Sequence, residues 1–427
     1  MSALVIFGIL LALMLTGMPI SISLGLTVLT FLFTMTQVPL ESVALKLFSG
    51  IEKFEIMAIP FFILAGNFLT HGGVARRMLN FATAMVGHWY GGLALYGVVA
   101  CALFAAVSGS SPATVVAIGS ILIPGMVRAG FPLRFGAGVI ATSGALGILI
   151  PPSIVMVMYS IATNTSVGAL FMAGVIPGLV MASMLGGVTW YRAKKFNYPR
   201  QPKASWGERA RTFYKAIWGL MLIVVVMGGI YSGVFTPTEA AAMSAVYSFV
   251  VAVFIYKDMS LKDVPKVLLN SANMSAMLLY IITNAVMFSF ILANENIPQQ
   301  LTDWLIAKGL GEIAFLLAVN ILLLMAGNFM EPSSIMLIFA PIVFPVAIQL
   351  GIDPVHLGIL MVVNMEVGMC HPPVGLNLYV ASGLTKMGIT DLTVAVWPWL
   401  LTMLVFLVWV TYWPPMSLWL PKTLGMM

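Results

Sequence analysis

Residues 147–153 read GILIPPS and residues 368–375 read GMCHPPVG, and each sets a glycine and then a proline pair inside an otherwise apolar run. Proline removes a backbone donor and clashes with the preceding turn, so neither run continues as one uninterrupted helix. The two stretches are related by an offset of 221 residues, and the same offset superposes Pro124 on Pro345, Gly130 on Gly351 and Pro177 on Pro398. Hydrophobic bias can align apolar residues by chance, but it does not align helix breakers. The chain is therefore read as two structural repeats, 1–190 and 216–427, joined by a basic linker at 191–215.

Composition decides the solvent. Of 427 residues 61% are hydrophobic and 8% charged, with a mean hydropathy of +1.04. That leaves too little polar surface to cover a water-soluble globule, and the chain belongs in a lipid bilayer. A net charge of +6 could suggest a nucleic-acid partner. However, Arg192, Lys194, Lys195, Arg200, Lys203, Arg209, Arg211 and Lys215 crowd into one central stretch, as in a cytoplasmic loop, so no nucleic acid is expected. The first basic residue is Lys46, so the N-terminus reads as a retained membrane segment and not as a cleaved signal. Cys101 and Cys370 lie in apolar surroundings and offer neither a disulfide framework nor a thiolate metal site.

Hydrophobic spans fall at about 3–17, 19–37, 54–70, 135–163 and 168–190, then 216–235, 238–256, 266–292, 356–383 and 392–414, ten crossings in all. Between them lie two pairs of apolar arms, about 93–127 and about 313–348, turning at Ser108–Pro112 and at Glu331–Ser334. Arms of about 15 residues rise about 22 Å, short of the roughly 30 Å hydrocarbon core, so each pair is read as a re-entrant hairpin. This choice places sixteen of the twenty basic residues on one face and only Lys46, Lys53, Lys308 and Lys422 on the other. Such an asymmetry is that of cytoplasm against periplasm, and it makes the repeats inverted. Amphipathic stretches before each hairpin, Val74 to Tyr90 and Ile297 to Lys308, read as interfacial arms; in the first, Arg76, Arg77 and Asn80 stand against Met78, Phe81 and Met85. The fold class is thus an all-α polytopic membrane protein with inverted repeats, two hairpins and two broken helices, at about 135–163 and 356–383.

Non-helical backbone at membrane depth is tolerated only in a protein interior or beside a wet cavity. The four proline-containing breaks therefore point to one site. At each, proline is expected to open a new half-helix, whose positive N-terminus attracts a carboxylate. The candidate substrate contacts are Ser108, Ser110, Ser111, Pro151, Ser153, Ser333, Ser334, Pro372 and Asn377. Carbonyls left uncapped at the ends of the preceding half-helices, together with nearby hydroxyls, suit a hard cation such as Na⁺, with Ser108, Gly109, Ser110, Thr114, Gly147, Glu331, Ser333, Gly368 and Gly375 as its candidate ligands. A serine-rich turn with only a capping role is the alternative for the tips. Glu331 and Glu366 fall at membrane depth, where a carboxylate suggests a proton or cation partner, a buried hydrogen-bonded acid being the other reading. His371 has Ile150 as its repeat mate and is expected to make a local hydrogen bond. Thr236–Glu239 reads as a helix N-cap. No phosphate loop, HExxH pair or CxxC motif occurs, and the chain is not expected to be an enzyme.

SGSSPAT at 108–114, GILIPPS at 147–153, FTPTEAAA at 235–242 and PPVGLNLYV at 372–380 together resemble the large membrane subunit of the tripartite ATP-independent periplasmic (TRAP) transporters, over essentially the whole chain. The resemblance implies a secondary transporter of the bacterial inner membrane, driven by a Na⁺ gradient and belonging to the elevator-type ion transporter superfamily. In that scheme hairpins and broken helices move together against a scaffold formed by the other helices. The resemblance also implies two partners on separate chains, a small four-helix membrane subunit and a periplasmic substrate-binding protein. SGSSPAT and NFMEPSS look most like members that carry C4-dicarboxylates such as succinate, malate and fumarate, with sialic acid and other sugar acids as the alternative. A channel or an intramembrane enzyme is the distant reading from another class; a channel would repeat one loop around an oligomer instead of inverting a pair within one chain.

Overall fold

The structure, a computed structural model, describes residues 2–36, 39–200, 202–309, 311–328, 330–372 and 375–427, and every regular element among them is a helix. Eight of these helices are long and apolar enough to cross a membrane. They are not the ten expected spans. Two of the eight, Ser111–Arg128 and Pro332–Gln349, are hairpin arms. The spans expected at 3–17 and 19–37 form the shorter helices Ser2–Leu15 and Ile20–Met35. The spans at 135–163 and 356–383 fall short because their breaks divide them into Leu133–Ser143, continued by a 3-10 turn to Ile148, with Ile154–Thr163, and into Pro354–Gly368 with Leu376–Thr385.

The arms are also longer than the sequence reading allowed. Each second arm has 18 residues, about 27 Å of rise, so length alone does not make the hairpins re-entrant. In the first hairpin Gly92–Ser108 and Ser111–Arg128 run antiparallel. Gly109 turns the chain at φ +59°, and the arms close so tightly that a methyl on Gly97 would lie 2.6 Å from Leu122 Cδ2. In the second, Glu312–Gly327 leads to Pro332–Gln349, where Pro332 takes the first helical position and its missing N–H costs least.

The linker at 191–215 is mostly helical. Val167–Lys195 carries Arg192, Lys194 and Lys195 in its last turn, where cations offset the negative end of the helix dipole, and Ser205 caps the start of Trp206–Ile223 by accepting from the Glu208 N–H. Among the described residues of the linker, only 196–200 and 202–205 lie outside these helices. At 236–239 the expected N-cap is a full capping box, with Thr236 and Glu239 each accepting from the other's backbone. Val74–Val86, within the first stretch expected to be amphipathic, is a helix whose Val74, Ala75, Met78, Leu79 and Ala82 are buried and whose Arg76 and Asn80 are exposed. Met85, expected on its apolar face, is exposed.

Burial then separates the helices. Every residue of Pro354–Gly368 after the first is buried, as is nearly all of 135–149, whereas Trp206–Ile223 buries only Ala216, Gly219 and Leu222. A helix apolar on all sides belongs inside a bundle, and this places both breaks in the interior, where irregular backbone can be sheltered. The second arm of each hairpin packs on the second half of the other broken helix: a methyl on Gly119 would lie 3.0 Å from Leu384 Cδ1, and the Tyr159 and Phe344 rings are 6.4 Å apart.

Candidate functional site

The first hairpin tip rests directly on the first break. A methyl on Gly147 would lie 2.7 Å from the carbonyl of Ser110 and from the Ser111 nitrogen, and one on Gly109 would lie 3.0 Å from the Pro152 carbonyl oxygen. Backbone meets backbone here, which explains glycine at both positions. Within the tip, Ser108 Oγ and Thr114 Oγ1 are 2.9 Å apart, and both hydroxyls donate to the Ser110 carbonyl, at 3.3 and 2.8 Å. Ser110 thus enters through its carbonyl, and three oxygens converge on one small volume.

The breaks are better satisfied than the expectation of uncapped carbonyls allowed. Ser153 Oγ donates to the Ile148 carbonyl at 2.6 Å and caps the next half-helix by accepting from Met156 N–H. Proline does not open that half-helix, because Pro151 and Pro152 lie before the N-cap, within the break. In the second break the Asn377 N–H donates to the Met369 carbonyl across the gap. Gly375 holds φ +54° there, with a methyl at its position only 2.8 Å from the Met369 oxygen. Leu376–Thr385 likewise begins four residues after Pro372.

Asn377 ties the two halves together. Its Nδ2 donates to Ser111 Oγ at 2.8 Å and to the Ala141 carbonyl at 3.0 Å, and Cys370 Sγ also points to that carbonyl at 3.4 Å. The first hairpin tip, the first broken helix and the second break thus share one buried cluster. Ser111, Ser153 and Asn377 on these elements are fully buried, as is Ser334 of the second tip; Ser110, Glu331, His371 and Pro372 keep partial exposure.

The second tip differs. Glu331 takes the N-cap position of Pro332–Gln349 with Ser333 and Ser334 close to its carboxylate, yet Glu331 Oε1 and Ser334 Oγ, both buried, meet no partner at full hydrogen-bond geometry. Gly327 and Gly368 face each other so closely that a methyl on either would lie 3.0 Å from the other's Cα. His371 makes a hydrogen bond, as expected, but to a partner distant in the chain: its Nδ1 lies 3.2 Å from Asn328 Oδ1 at the end of the second hairpin's first arm. Phe329, Pro373 and Val374 lie outside the described residues.

Both carboxylate oxygens of Glu366, the second carboxylate singled out from sequence, are buried without a partner in the last turn before the break. Several other polar features escaped sequence reading. Asn364 Nδ2 donates to Asn320 Oδ1 at 2.8 Å, and Asn320 Nδ2 to Thr411 Oγ1 at 2.9 Å, a buried chain across three helices. His356 lies alongside, 2.7 Å from Ser417 Oγ and 3.2 Å from the Thr411 carbonyl. Lys53 Nζ donates to the Ile161 carbonyl and to Asn164 Oδ1, at 2.8 and 2.7 Å, at the end of the half-helix Ile154–Thr163. Gly66 of the helix Ala58–His71 carries the first hairpin tip, a methyl there lying 3.1 Å from the Ser108 carbonyl oxygen. A cluster of small and polar residues at 66–67 was the available signal for this contact.

No group of three His, Cys, Asp or Glu side chains converges among the described residues. The oxygens present at the tips are hydroxyls, backbone carbonyls and the Glu331 carboxylate, hard donors of the kind that hard cations take. Half-helices starting at the breaks offer partial positive charge to an anion.

Comparison with known proteins gives one consistent picture. Residues 7–416 match the family model described as "Tripartite ATP-independent periplasmic transporter, DctM component". The chain is 74% identical, over the whole of both chains, to the C4-dicarboxylate TRAP transporter large permease protein DctM of Rhodobacter capsulatus. It is 36% identical to the sialic acid TRAP transporter large permease protein SiaM of Vibrio cholerae, covering 98% of this chain and 97% of that one. Among solved structures, the YdaH transporter of Alcanivorax borkumensis superposes with a TM-score of 0.63 over 89% of this chain and 90% of that one, at 16% identity, a likeness of fold alone.

Proposed function

We propose, from the premise that this chain belongs to the DctM family of tripartite ATP-independent periplasmic transporters, that it is the large permease subunit of a Na⁺-driven importer of C4-dicarboxylates such as succinate, malate and fumarate. The observation that carries the substrate class is the 74% identity over the full chain to a C4-dicarboxylate permease, against 36% to a sialic acid permease. Family membership makes it a multi-pass membrane transporter subunit. The bacterial inner membrane, with the basic face toward the cytoplasm, is the placement that its charge asymmetry supports.

The solute binds where the first tip, the two breaks and the second tip meet, its carboxylates drawn to the half-helix N-termini. Na⁺ is the coupled cargo. The oxygens of Ser108, Ser110 and Thr114 fit one cation position, and the buried Glu331 Oε1 and Ser334 Oγ fit a second. Movement is of the elevator type. Residues 1–190 and 216–427 form inverted repeats whose re-entrant hairpins and broken helices slide as one body against the remaining helices. A small four-helix membrane subunit and a periplasmic binding protein complete the system.

The test is uptake of radiolabelled succinate and sialic acid by proteoliposomes holding the chain with its small subunit and binding protein, with and without an inward Na⁺ gradient. Succinate accumulation above equilibrium only with Na⁺ is the expected result. Accumulation of sialic acid alone would replace the substrate, and Na⁺-indifferent equilibration would replace the mechanism with a channel.

A further inference from the structure

The basic face between Val74–Val86 and the start of Trp206–Ile223 takes no part in the site just described. Two adjoining cavities open there. One, of about 500 Å³, is bordered by Arg77, Lys203, Arg211 and Lys215; the other, of about 470 Å³, by Arg76, Arg77, Lys215 and Tyr256. Arg77 and Lys215 stand on the wall common to both.

That wall is built and held. Arg77 donates to the Gly73 carbonyl at 3.0 Å, pairs with Asp258, and lies with Cζ 3.8 Å over the Tyr256 ring, whose hydroxyl donates to the Lys215 carbonyl at 2.7 Å. Gly73, at φ +71°, is where the chain passes the Asp258 carboxylate too closely for any side chain, since a methyl would lie 2.1 Å from Oδ2. Five cations meet only two carboxylates, Glu208 and Asp258, and Asp258 is engaged by Arg76 and Arg77. No ion pair among the described residues engages Lys203, Arg211 or Lys215. The surplus field extends to His88 in the adjoining loop, whose pKa lies below the ordinary value, first through desolvation and then through Arg209 and Lys203.

Surroundings place the cavities at headgroup level. Trp206, Phe213, Tyr214 and Trp218 are exposed on the same helix as Arg211 and Lys215, immediately before its apolar stem, and such aromatics settle at the membrane–water interface. We propose that the double cavity binds an anionic phospholipid bearing two phosphates, of the cardiolipin class, one phosphate in each cavity with Arg77 and Lys215 between them. Basic pockets beside membrane helices on the cytoplasmic side recognise such headgroups, and two cavities with a shared cationic wall match two phosphates joined by a glycerol. Bound there, the lipid fastens Val74–Val86 and residues 202–204 to the bilayer.

The test is native mass spectrometry of the delipidated full-length chain titrated with cardiolipin, phosphatidylglycerol and phosphatidylethanolamine, alone and with its small subunit, a readout independent of sidedness and of transport substrate. Cardiolipin should bind tighter than phosphatidylglycerol, and phosphatidylethanolamine weakest. Arg211→Gln with Lys215→Gln should weaken cardiolipin by roughly thirtyfold, while Arg134→Gln, at an exposed ion pair with Asp391 outside the cavities, should leave it unchanged. A single Lys203→Gln variant, on the connection outside any helix, gives the same direction should the double variant fail to fold. Equal affinities for the three lipids, or unchanged cardiolipin affinity in folded variants, would overturn the proposal. So would displacement of the lipid by inorganic phosphate at millimolar concentration, which would mark a free-phosphate site, or by the small subunit, which would mark a protein interface.

Discussion

The two hairpin tips begin from similar sequence material, serine beside proline, and arrive at opposite states of satisfaction. At the first tip, the Ser108 and Thr114 hydroxyls donate to the Ser110 carbonyl and the Ser111 hydroxyl bonds Asn377, so these three hydroxyls have partners. At the second, Glu331 Oε1 and Ser334 Oγ are buried and meet none at full hydrogen-bond geometry. Leaving a buried polar atom unpaired costs about 1–3 kcal/mol, more for a charged one, so the second tip is the one that gains most from a bound cation. Related breaks in two halves of a chain therefore need not serve as equivalent ion positions.

The comparison can be broken most severely at its base. Gly147→Ala drives a methyl into the backbone of Ser110 and Ser111, which cannot yield as a side chain would, and such overpacking costs about 1–3 kcal/mol. Na⁺-driven uptake should fall at least roughly tenfold, and Gly368→Ala, with 3.0 Å in place of 2.7 Å to its neighbour, should fall less. Equal loss in both would remove the distinction between the breaks. Next, Glu331→Gln keeps the size of the side chain and removes its charge. The Na⁺ concentration for half-maximal uptake should rise by about tenfold, the equivalent of one lost charge-assisted contact of about 1.4 kcal/mol, with thermal unfolding in detergent little changed.

A finer cut lies within the first tip. Ser110 contributes its carbonyl, so Ser110→Ala should alter Na⁺ dependence less than Ser108→Ala or Thr114→Ala, each of which removes a hydroxyl worth about 1 kcal/mol. Na⁺ titrations of uptake that rank Ser110→Ala as the most damaging would contradict the geometry. The smallest effect is a control away from both tips: Thr236→Ala removes half of the capping box and should lower thermal stability by about 1 kcal/mol, with the Na⁺ dependence of the folded protein unchanged.

What could be read from sequence was what local chemistry dictates. Pro151 and Pro152 announce an interruption wherever they stand, and Thr236 with Glu239 announces a helix start, because these effects act within one turn. Arm length is not legible, since an apolar run does not mark where Ser111–Arg128 stops. The basic linker reads as a loop because charge suggests water and says little about helicity; Arg192, Lys194 and Lys195 suit a helix end as well as a loop. Partners far apart in the chain were out of reach. Arg77 with Asp258 and Asn377 with Ser111 are separated by 181 and 266 residues, and no local pattern encodes such pairs. Glu366 was visible as a carboxylate at membrane depth, but the absence of any partner around it could be learned only from packing.

The buried chain from Asn364 through Asn320 to Thr411 carries a consequence for biogenesis. Thr411 is synthesised 91 residues after Asn320, and at roughly 5–20 residues per second the ribosome takes on the order of five to twenty seconds to span that gap. For that interval the Asn320 amide is in place before its acceptor exists, and an amide without a partner in hydrocarbon is costly. The second half of the molecule therefore closes only when its late helix arrives, and the asparagine ladder makes correct closure the arrangement in which no amide donor is left waiting.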